Sequence, residues 1–486
     1  MSSDEANDAA FRERLLSDPR LSPVLSDPAR FRAQVLLTEV VETSGAGTEA
    51  CPSRGHTRLR RHAFRADAEY FYPASTVKLF GAIAACVALR ELARAHPGLD
   101  KDTPLAFGAC PREADETETE TENEVTTLRS ELAKLFLTSD NRAFNRCFDL
   151  CGPSGIRRWT ARHLPGEDVR ITHRLFDDAG EAGEADAASA LPEVWANPKP
   201  RGGGGGGGWV RILEKRTDAC RFEDDCENDD SNRRASSTYR VGSFLYRALE
   251  KDVVSGGLDC EKRNRCSLRA LQRAALVLAR PDLVGFFERE ENRETRIHES
   301  HQQKDSHATS LHPEDRAFLL RCAAAAPRDA AALGVTDAAY LRRARSAPDA
   351  YPKFFLPGIR RALLARAAAG PQAPGRYAPT VTNKLGRAYG FSVDNAHVRV
   401  DTAVDVVDVD ADRGDVKGKK NFREFFLAVA VETNANGVVN DDAYEYEETA
   451  DPFMEAVAEV AAKFVWDPER DERGEWDEAC INTSER

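Results

Sequence analysis

The chain has 486 residues, of which 68 are lysine or arginine and 81 are aspartate or glutamate, so its formal net charge is −13. With 41% apolar and 31% charged residues, it has the composition of a globular protein that carries polar insertions. A pI near 5.4 argues against a nucleic-acid partner, because no net positive field would attract a phosphate backbone. The length is typical of two or three domains, or of one large two-lobed domain.

The sequence contains neither a recognisable membrane span nor a secretory signal. Its longest relevant apolar stretch, residues 79–89, is far shorter than the roughly 20 residues that a transmembrane helix needs. Residues 1–10 are acidic and polar, without a basic segment or an apolar core. The eleven cysteines include no CxxC pair, which favours reduced, buried thiols. We therefore expect a cytoplasmic protein without a membrane span. We also expect it to be a monomer.

Four segments resemble insertions more than parts of a core. They are acidic, glycine-rich or densely charged: residues 115–124, 202–208, 288–312 and 405–420. The second is a run of seven glycines followed by Trp209 and Val210. A phosphate-binding loop would need a Lys-Ser/Thr pair at that point, so the run is predicted to be a flexible linker.

The periodicity of apolar residues predicts strands towards both ends of the chain and helices between them. In chain order the predicted elements are strands 32–41 and 57–65, helices 76–95, 125–137, 141–150, 267–279, 313–326 and 358–369, strands 379–384, 388–400 and 422–433, and a helix at 451–464. This order predicts an α+β fold in which both chain ends form one antiparallel sheet with flanking helices, and an all-α lobe is inserted between them. The predicted units are a polar N-terminal tail 1–27, a sheet lobe 28–74 and 376–468, a helical lobe 75–375 and a polar C-terminal tail 469–486.

Ser75 and Lys78 form an SxxK motif at the start of the long alanine-rich helix. Residues three apart share a helix face, so the lysine amine can reach the serine hydroxyl. A serine hydroxyl needs a base to become nucleophilic, and a lysine can serve if burial or another cation lowers its pKa. Free N–H groups at the helix N-terminus stabilise developing negative charge. The structural alternative is a helix-capping serine with a lysine that follows by chance.

Two further motifs follow in the sequence. Ser139, Asp140 and Asn141 lie between two predicted helices, where capping is the simplest explanation. The functional interpretation makes Ser139 a hydroxyl relay to the leaving group and Asn141 an amide that orients the substrate. Lys384 and Gly386 lie at the end of a predicted strand, where the lysine can hold a substrate carboxylate and the glycine permits close approach. A solvent-facing strand lysine is the alternative there.

SxxK, SDN and a KTG-type triplet, in this order, are the motif set of serine β-lactamases and penicillin-binding proteins. The chain therefore resembles this superfamily, in particular the class A β-lactamase-like serine hydrolases. The resemblance extends over about residues 30–466, interrupted by the insertions. It is carried by the stretches YFYPASTVKL, SDNRAFNRCFDLCG, NKLGRAYGFSVDNAHV and TNANGVVNDDAYEYEETADPF and by the closing helix. The resemblance implies a β-lactamase/transpeptidase-like fold, with a sheet lobe packed on a helical lobe and the active site in the cleft between them.

The resemblance also implies roles for individual residues. Ser75 would be the acylated nucleophile, and Lys78 its proton partner. The oxyanion hole would use the backbone N–H groups of Ser75 and of Arg387, and removing such a donor typically lowers turnover by about 100- to 1,000-fold.

The remaining site residues would border the cleft from its two sides. Ser139 and Asn141 would do so from the helical lobe, and Lys384 and Gly386 from the strand. Two lysines would make the cleft locally positive on an acidic protein, which suits a small-molecule substrate that carries a carboxylate.

Two departures from the family pattern affect the expected chemistry. The middle residue of the KTG-type triplet is Leu385, so a hydroxyl that helps hold a β-lactam carboxylate is missing. The best match to the ExxLN glutamate, which activates water for deacylation in class A enzymes, is Glu193 with Asn197. The alternative for Glu193 is an exposed loop carboxylate. Without a working base the acyl-enzyme would accumulate.

The sequence gives no coherent cofactor signature, so no cofactor or metal is predicted. Residues 408–412 alternate Asp in the manner of a calcium loop, but Arg413 and Lys419 stand where glycine and glutamate are needed. The expected function is a serine hydrolase that acts on amide or ester bonds. The alternative is a non-catalytic or penicillin-binding-type module that keeps the cleft without efficient deacylation.

Overall fold

The computed structural model describes residues 3–43, 56–66, 68–111, 125–175, 190–198, 208–217, 239–248, 250–284, 311–348, 353–369, 377–402 and 421–467. The predicted insertions 115–124 and 405–420, most of the other two, and the predicted C-terminal tail 469–486 lie outside the described residues.

The helices of the described part are α1 Ser3–Ser17, α2 Ser22–Leu25, α3 Lys78–Ala95, α4 Leu128–Leu137, α5 Asn141–His163, α6 Leu268–Ala279, α7 Pro313–Ala324, α8 Ala338–Ser346, α9 Leu356–Ala369 and α10 Asp451–Val465. The strands are β1 Gln34–Thr43, β2 His56–Phe64, β3 Pro104–Phe107, β4 Thr126–Thr127, β5 Val169–Arg170, β6 Val194–Ala196, β7 Val210–Leu213, β8 Arg240–Val241, β9 Phe244–Arg247, β10 Asp252–Ser255, β11 Leu258–Asp259, β12 Arg265–Cys266, β13 Tyr377–Asn383, β14 Gly386–Ala388, β15 Phe391–Thr402, β16 Asn421–Glu432 and β17 Val438–Val439. A 3₁₀ turn, Ala74–Val77, leads directly into α3. The described chain is therefore an α+β protein.

The main sheet combines strands from distant parts of the chain, in the order β13-β15-β16-β1-β2, with β14 paired to β15. All of these pairings are antiparallel, and Gln34 of β1 lies opposite Ala430 of β16. Both faces of the sheet are buried, because Val35, Leu36 and Leu37 alternate in direction and each is 0% exposed. The sheet therefore packs between two layers of helices.

The two faces of the sheet belong to two different apolar clusters. On one face Val35 and Leu37 pack with α1, α9 and α10, for example with Ile359 and Phe453. On the other face Leu36 belongs to the cluster that contains the helices of the inserted segment, and Gln272 Nε2 of α6 donates to the Leu36 carbonyl at 2.8 Å. Helix α3 is buried along most of its length, and the Phe144 ring of α5 lies over its Gly81, where a Cβ would be 2.6 Å from that ring. The close α3–α5 contact fixes the relative positions of the two helices.

The inserted segment differs from the predicted all-α lobe, because it also contains sheet. Strands β4, β3, β6 and β7 form a four-stranded sheet, and β5, β8 and β9 to β12 form further short pairings. These strands are two to four residues long, too short for an alternating apolar pattern to develop. This is why periodicity alone predicts only the helices.

The N-terminal segment also differs from the prediction of a polar tail. Residues of α1 pack against the sheet lobe, where Phe11 and Leu15 are 1% and 0% exposed. The Phe11 ring lies 5.1 Å from the ring of Phe464 in α10. Since only two large apolar side chains make this contact, the helix appears polar in a window average.

Within the described part of the chain, no helix combines the length and the apolarity needed to cross a bilayer. The cysteines of this part are buried thiols, at positions 86, 110, 147, 151, 260, 266 and 322. Burial raises the pKa of Cys86 and of Cys147 well above the ordinary thiol value.

Candidate active site

Ser75 lies in the 3₁₀ turn that precedes α3, and its side chain is partly buried. Ala74 immediately before it has a φ of +48°, in the left-handed region that is unusual for a residue with a Cβ. The backbone N–H of Lys78 donates to the carbonyl of Ser75, so the turn continues into the helix without a break. Such a strained turn before a buried helix holds one hydroxyl in a fixed place.

Ser139 lies in the short turn between α4 and α5, also with a left-handed φ, of +57°. Its neighbour Asp140 caps α5, because the Asp140 side chain accepts a 2.8 Å hydrogen bond from the backbone of Ala143. In the SDN motif the aspartate therefore has a structural role, and the residues on either side of it extend towards Lys78.

Lys78 is 0% exposed and is held by the SDN turn. Its Nζ donates to Asn141 Oδ1 at 2.6 Å and to Ser139 Oγ at 3.3 Å, and it also bonds the Ser139 carbonyl. The SxxK lysine and both outer SDN residues thus form one hydrogen-bonded group.

Lys384 approaches the same serine hydroxyl from the sheet. Its Nζ donates to Ser139 Oγ at 2.9 Å and to the Leu385 carbonyl at 2.7 Å, and the residue is 3% exposed. Burial, followed by the neighbouring Lys78 ammonium, lowers the pKa of Lys384 well below its ordinary value. The Ser139 hydroxyl therefore bridges two buried lysines, one from α3 and one that directly follows β13.

Gly386 brings the sheet against the Ser75 turn. A Cβ at this position would lie 2.6 Å from the Ser75 backbone nitrogen and 2.8 Å from that of Thr76, so only glycine fits here. Leu385 beside it is 8% exposed. The close approach brings the start of β14 to the N–H of Ser75.

The Arg387 side chain is engaged with the C-terminal part of the chain. It pairs with Asp451 and donates to Ser392 Oγ at 3.2 Å. Its guanidinium carbon lies 4.5 Å from the ring centroid of Phe354 and 4.6 Å from that of Tyr446. A role at the site would therefore fall to the Arg387 backbone N–H.

Glu193 belongs to the four-stranded sheet of the inserted segment. It directly precedes β6, its carbonyl accepts from the Gly108 N–H at 2.9 Å, and its side chain is 31% exposed. The Glu193 carboxylate forms an ion pair of 3.2 Å with Arg211 Nη1 of β7. Glu193 is thus bonded within its own four-stranded sheet, whereas Lys78 is bonded to Asn141.

Asn145 is a residue of this region that the sequence analysis did not single out. Its amide donates to the Leu175 carbonyl at 2.7 Å and accepts from the Leu175 N–H at 2.8 Å. Asn145 lies one helical turn after Asn141, so the two amides share a face of α5. The four-residue spacing of Asn141 and Asn145 is the feature of the sequence that could have identified Asn145. It places the backbone of Leu175 one helical turn from Asn141, the amide that Lys78 bonds.

We expect Asn145→Ala to destabilise the protein by about 1–3 kcal/mol, because the partly buried N–H and C=O of Leu175 lose their partners. Urea unfolding measures the loss, and amide hydrogen exchange should accelerate at Leu175 in particular. Asn436→Ala, at an exposed amide that bonds Asp441, serves as the control and should change stability by less than about 0.5 kcal/mol. Unchanged exchange at Leu175 would contradict this account of the amide clamp.

No protein-family model and no curated protein matches the chain. Similar solved structures include a β-lactamase from Desulfarculus baarsii, with 15% identity, coverage of 94% of this chain and 98% of that chain, and a TM-score of 0.38. A class A β-lactamase representative from Bacteroides cellulosilyticus has 9% identity, the same coverage of 94% and 98%, and a TM-score of 0.40. The chromosome-encoded β-lactamase of Vibrio parahaemolyticus has 10% identity, coverage of 92% and 98%, and a TM-score of 0.36.

Proposed function

We propose that this protein is a serine hydrolase of the β-lactamase/transpeptidase type, which forms an acyl-enzyme on Ser75 with amide or ester substrates. The observation that carries the proposal is the Ser139 hydroxyl, bridged between Lys78 at 3.3 Å and Lys384 at 2.9 Å. Three segments far apart in sequence supply these groups, and two buried lysines on one hydroxyl are costly to bury without a function.

Acylation in this proposal requires the neutral form of Lys78, which keeps two of the three hydrogen bonds that its ammonium donates to Ser139 and Asn141 and has a lone pair free to accept a proton. Ser75 Oγ attacks the carbonyl carbon of the substrate while its proton passes to the neutral amine of Lys78, and the carbonyl oxygen becomes an oxyanion. The N–H groups of Ser75 and Arg387 stabilise that oxyanion. When the tetrahedral intermediate collapses, the bond to the leaving nitrogen or oxygen breaks.

The leaving group needs a proton, and Ser139 is arranged to supply it. A hydroxyl has two acceptor sites and one donor. Since Lys78 and Lys384 both donate to Ser139 Oγ, its own proton remains for the leaving atom. The proton that Lys78 took from Ser75 then replaces it, which balances the step.

Lys384 also provides the positive charge for a carboxylate-bearing substrate. The buried Leu385 offers no hydroxyl beside it, which removes one charge-assisted hydrogen bond worth about 1.5–3 kcal/mol. We therefore propose β-lactams as recognised ligands of this site, with weaker carboxylate binding than a KTG triplet would give.

Deacylation divides the proposal into two candidate functions. Glu193 would be the water-activating base only after leaving Arg211, its ion-pair partner at 3.2 Å. Asn145 holds the backbone of Leu175 one helical turn from Asn141. The Leu175 side chain is aliphatic and therefore cannot activate water. These observations favour the second candidate, a penicillin-binding-type protein whose acyl-enzyme turns over slowly.

Incubation with a fluorescent penicillin and a chromogenic cephalosporin tests the proposal. We expect covalent labelling of the wild type with slow turnover, and no labelling of Ser75→Ala, which lacks the nucleophile. Ser267→Ala, a change at the N-cap of α6, is the matched control and should label like the wild type. The proposal fails if wild type is labelled neither by penicillin nor by a generic fluorophosphonate, or if Ser75→Ala labels equally. Rapid turnover would select the β-lactamase candidate.

A further inference from the structure

A buried polar network is centred on Asn383, the residue that precedes Lys384. Asn383 Oδ1 accepts from Lys353 Nζ at 2.7 Å, and Asn383 Nδ2 donates to Asp394 Oδ1 at 2.8 Å. Lys353, Asn383 and Asp394 are 5%, 6% and 0% exposed. A lysine and a carboxylate are thus joined through one amide inside the protein.

The network determines the backbone on both sides of Lys384. Lys353 Nζ also donates to the carbonyls of Val381, at 3.0 Å, and of Ala323, so all three ammonium protons have acceptors. The backbone N–H of Lys384 donates to the Asn395 carbonyl at 3.2 Å. Asp394 and Asn395 are neighbours on β15. The Asp394 carboxylate bonds Asn383 and the Asn395 carbonyl bonds Lys384, so two adjacent hydrogen bonds hold residues 383–384.

Asp394 has a further feature that its structural bonds leave unexplained. Its Oδ1 accepts from Asn383 and from the Asn395 N–H, whereas Oδ2 is buried and has no hydrogen-bond donor among the described residues. A buried carboxylate oxygen without a donor is costly unless nearby positive charge compensates for it.

The positive charge comes from lysines on three separate elements. Lys78 extends from α3, Lys384 follows β13, and Lys353 precedes α9. Lys384 interacts electrostatically with Lys78 and Lys353, and both Lys384 and Lys353 interact with Asp394. His397 on β15 lines the same small cavity as Lys384, but its pKa is lowered to about 3 by burial and by Arg280 and Arg399, so it is neutral.

We propose that Asp394 and Lys353, joined through Asn383, are positioning residues that fix the place and the charge of the Lys384 ammonium. This inference rests on the proposed function, in which Lys384 holds the substrate carboxylate and bonds Ser139. The negative charge of Asp394 offsets the repulsion of Lys384 by Lys78 and Lys353. The Asn383 side chain, bonded to Asp394, fixes the end of β13 from which Lys384 follows.

The pH window follows from the groups involved. Burial raises the pKa of Asp394 to about 6 and lowers the pKa of Lys353 to about 7, so the Asp394 charge is present above the first of these values and the Lys353 charge below the second. Burial and Lys78 lower the pKa of Lys384, while Asp394 raises it again in part. The ammonium is therefore present from acidic pH up to its own lowered pKa, and loss of the Asp394 charge should bring that upper limit down further.

The test measures the Lys384 charge directly in the full chain labelled with ¹³Cε,¹⁵Nζ-lysine, whose NMR shifts report protonation. The Lys384 signal is assigned by its absence in Lys384→Arg. We expect Asp394→Asn to lower the Lys384 pKa by about one unit or more, a tenfold loss of proton affinity, and Lys353→Met to raise it. A fold defect would not move the same signal in opposite directions.

The proposal is overturned if Asp394→Asn leaves the Lys384 pKa unchanged, or if both variants shift it in the same direction. If Asp394→Asn does not fold, the sign of the Lys353→Met shift decides. Because the titration requires no catalysis, it remains informative if the penicillin fails to label Ser75, and that outcome would count against the proposed function alone. Where labelling occurs, the alkaline limb of the acylation rate should move with the Lys384 pKa.

Discussion

Lys78→Met should lower the rate of Ser75 acylation by about 100- to 10,000-fold, the usual contribution of a positioned general base. Methionine has nearly the length of lysine but cannot accept the serine proton. It also leaves Asn141 Oδ1 without its 2.6 Å donor, so a loss of about 1–3 kcal/mol in the free energy of unfolding should accompany the change. Stopped-flow measurement of penicillin labelling and urea unfolding give the two quantities.

The matched control for this variant is Lys134→Met. Lys134 is also a buried lysine of the inserted segment, 5% exposed, and it pairs with Glu131 at 3.4 Å. We expect a comparable loss of stability with acylation retained. If both variants lose acylation in proportion to their stability, Lys78 has no specific part in the chemistry.

Gly386→Ala should abolish measurable acylation without removing any reactive group. The added Cβ would lie 2.6 Å from the Ser75 nitrogen and 2.8 Å from the Pro73 carbonyl oxygen, and both are backbone atoms that cannot rotate away. The strand must therefore move off the Ser75 turn, which separates the two N–H groups of the proposed oxyanion hole and should lower the rate by about 100- to 1,000-fold or more.

Gly155→Ala provides the comparison for this strand variant. It adds the same single carbon on α5, where the nearest contact is the Cys151 Cβ at 3.2 Å, and labelling should stay within about twofold of the wild type. Thermal unfolding separates a local shift of β14 from global damage. Normal acylation by a folded Gly386→Ala protein would contradict the oxyanion-hole assignment.

Much of the main sheet and of the long helices could be predicted from the sequence, because their apolar periods are long and uninterrupted. The predicted helix at 76–95 corresponds to α3 and the strand at 422–433 to β16. The predicted strand at 388–400 is divided in the structure, since Tyr389 and Gly390 adopt positive φ values of 55° and 83° between β14 and β15. No periodicity reports a turn of two residues.

The candidate site was predictable where chemistry imposes a motif, and not where it depends on tertiary contacts. Ser139 and Lys384 could be named from their triplets, but their shared hydrogen bond depends on the α4–α5 turn meeting the end of β13. Lys353, Asn383 and Asp394 form no local pattern, and only strand pairing brings two of them together. For Glu193, the separation from Asn197 matched a loop motif, while the backbone around it pairs as a strand.

The pairing of β1 with β16 has a consequence for how the protein is made. Ser75 is translated early, yet the strand that contacts it through Gly386 and the sheet that supports β1 emerge only after most of the chain. A nascent chain therefore carries the proposed nucleophile long before it can form the proposed oxyanion hole. Such distant pairing slows folding, because a very long loop must close before the contacts form. The proposed site can therefore assemble only after residue 386 has been synthesised, and a chain interrupted before that residue should not be acylated.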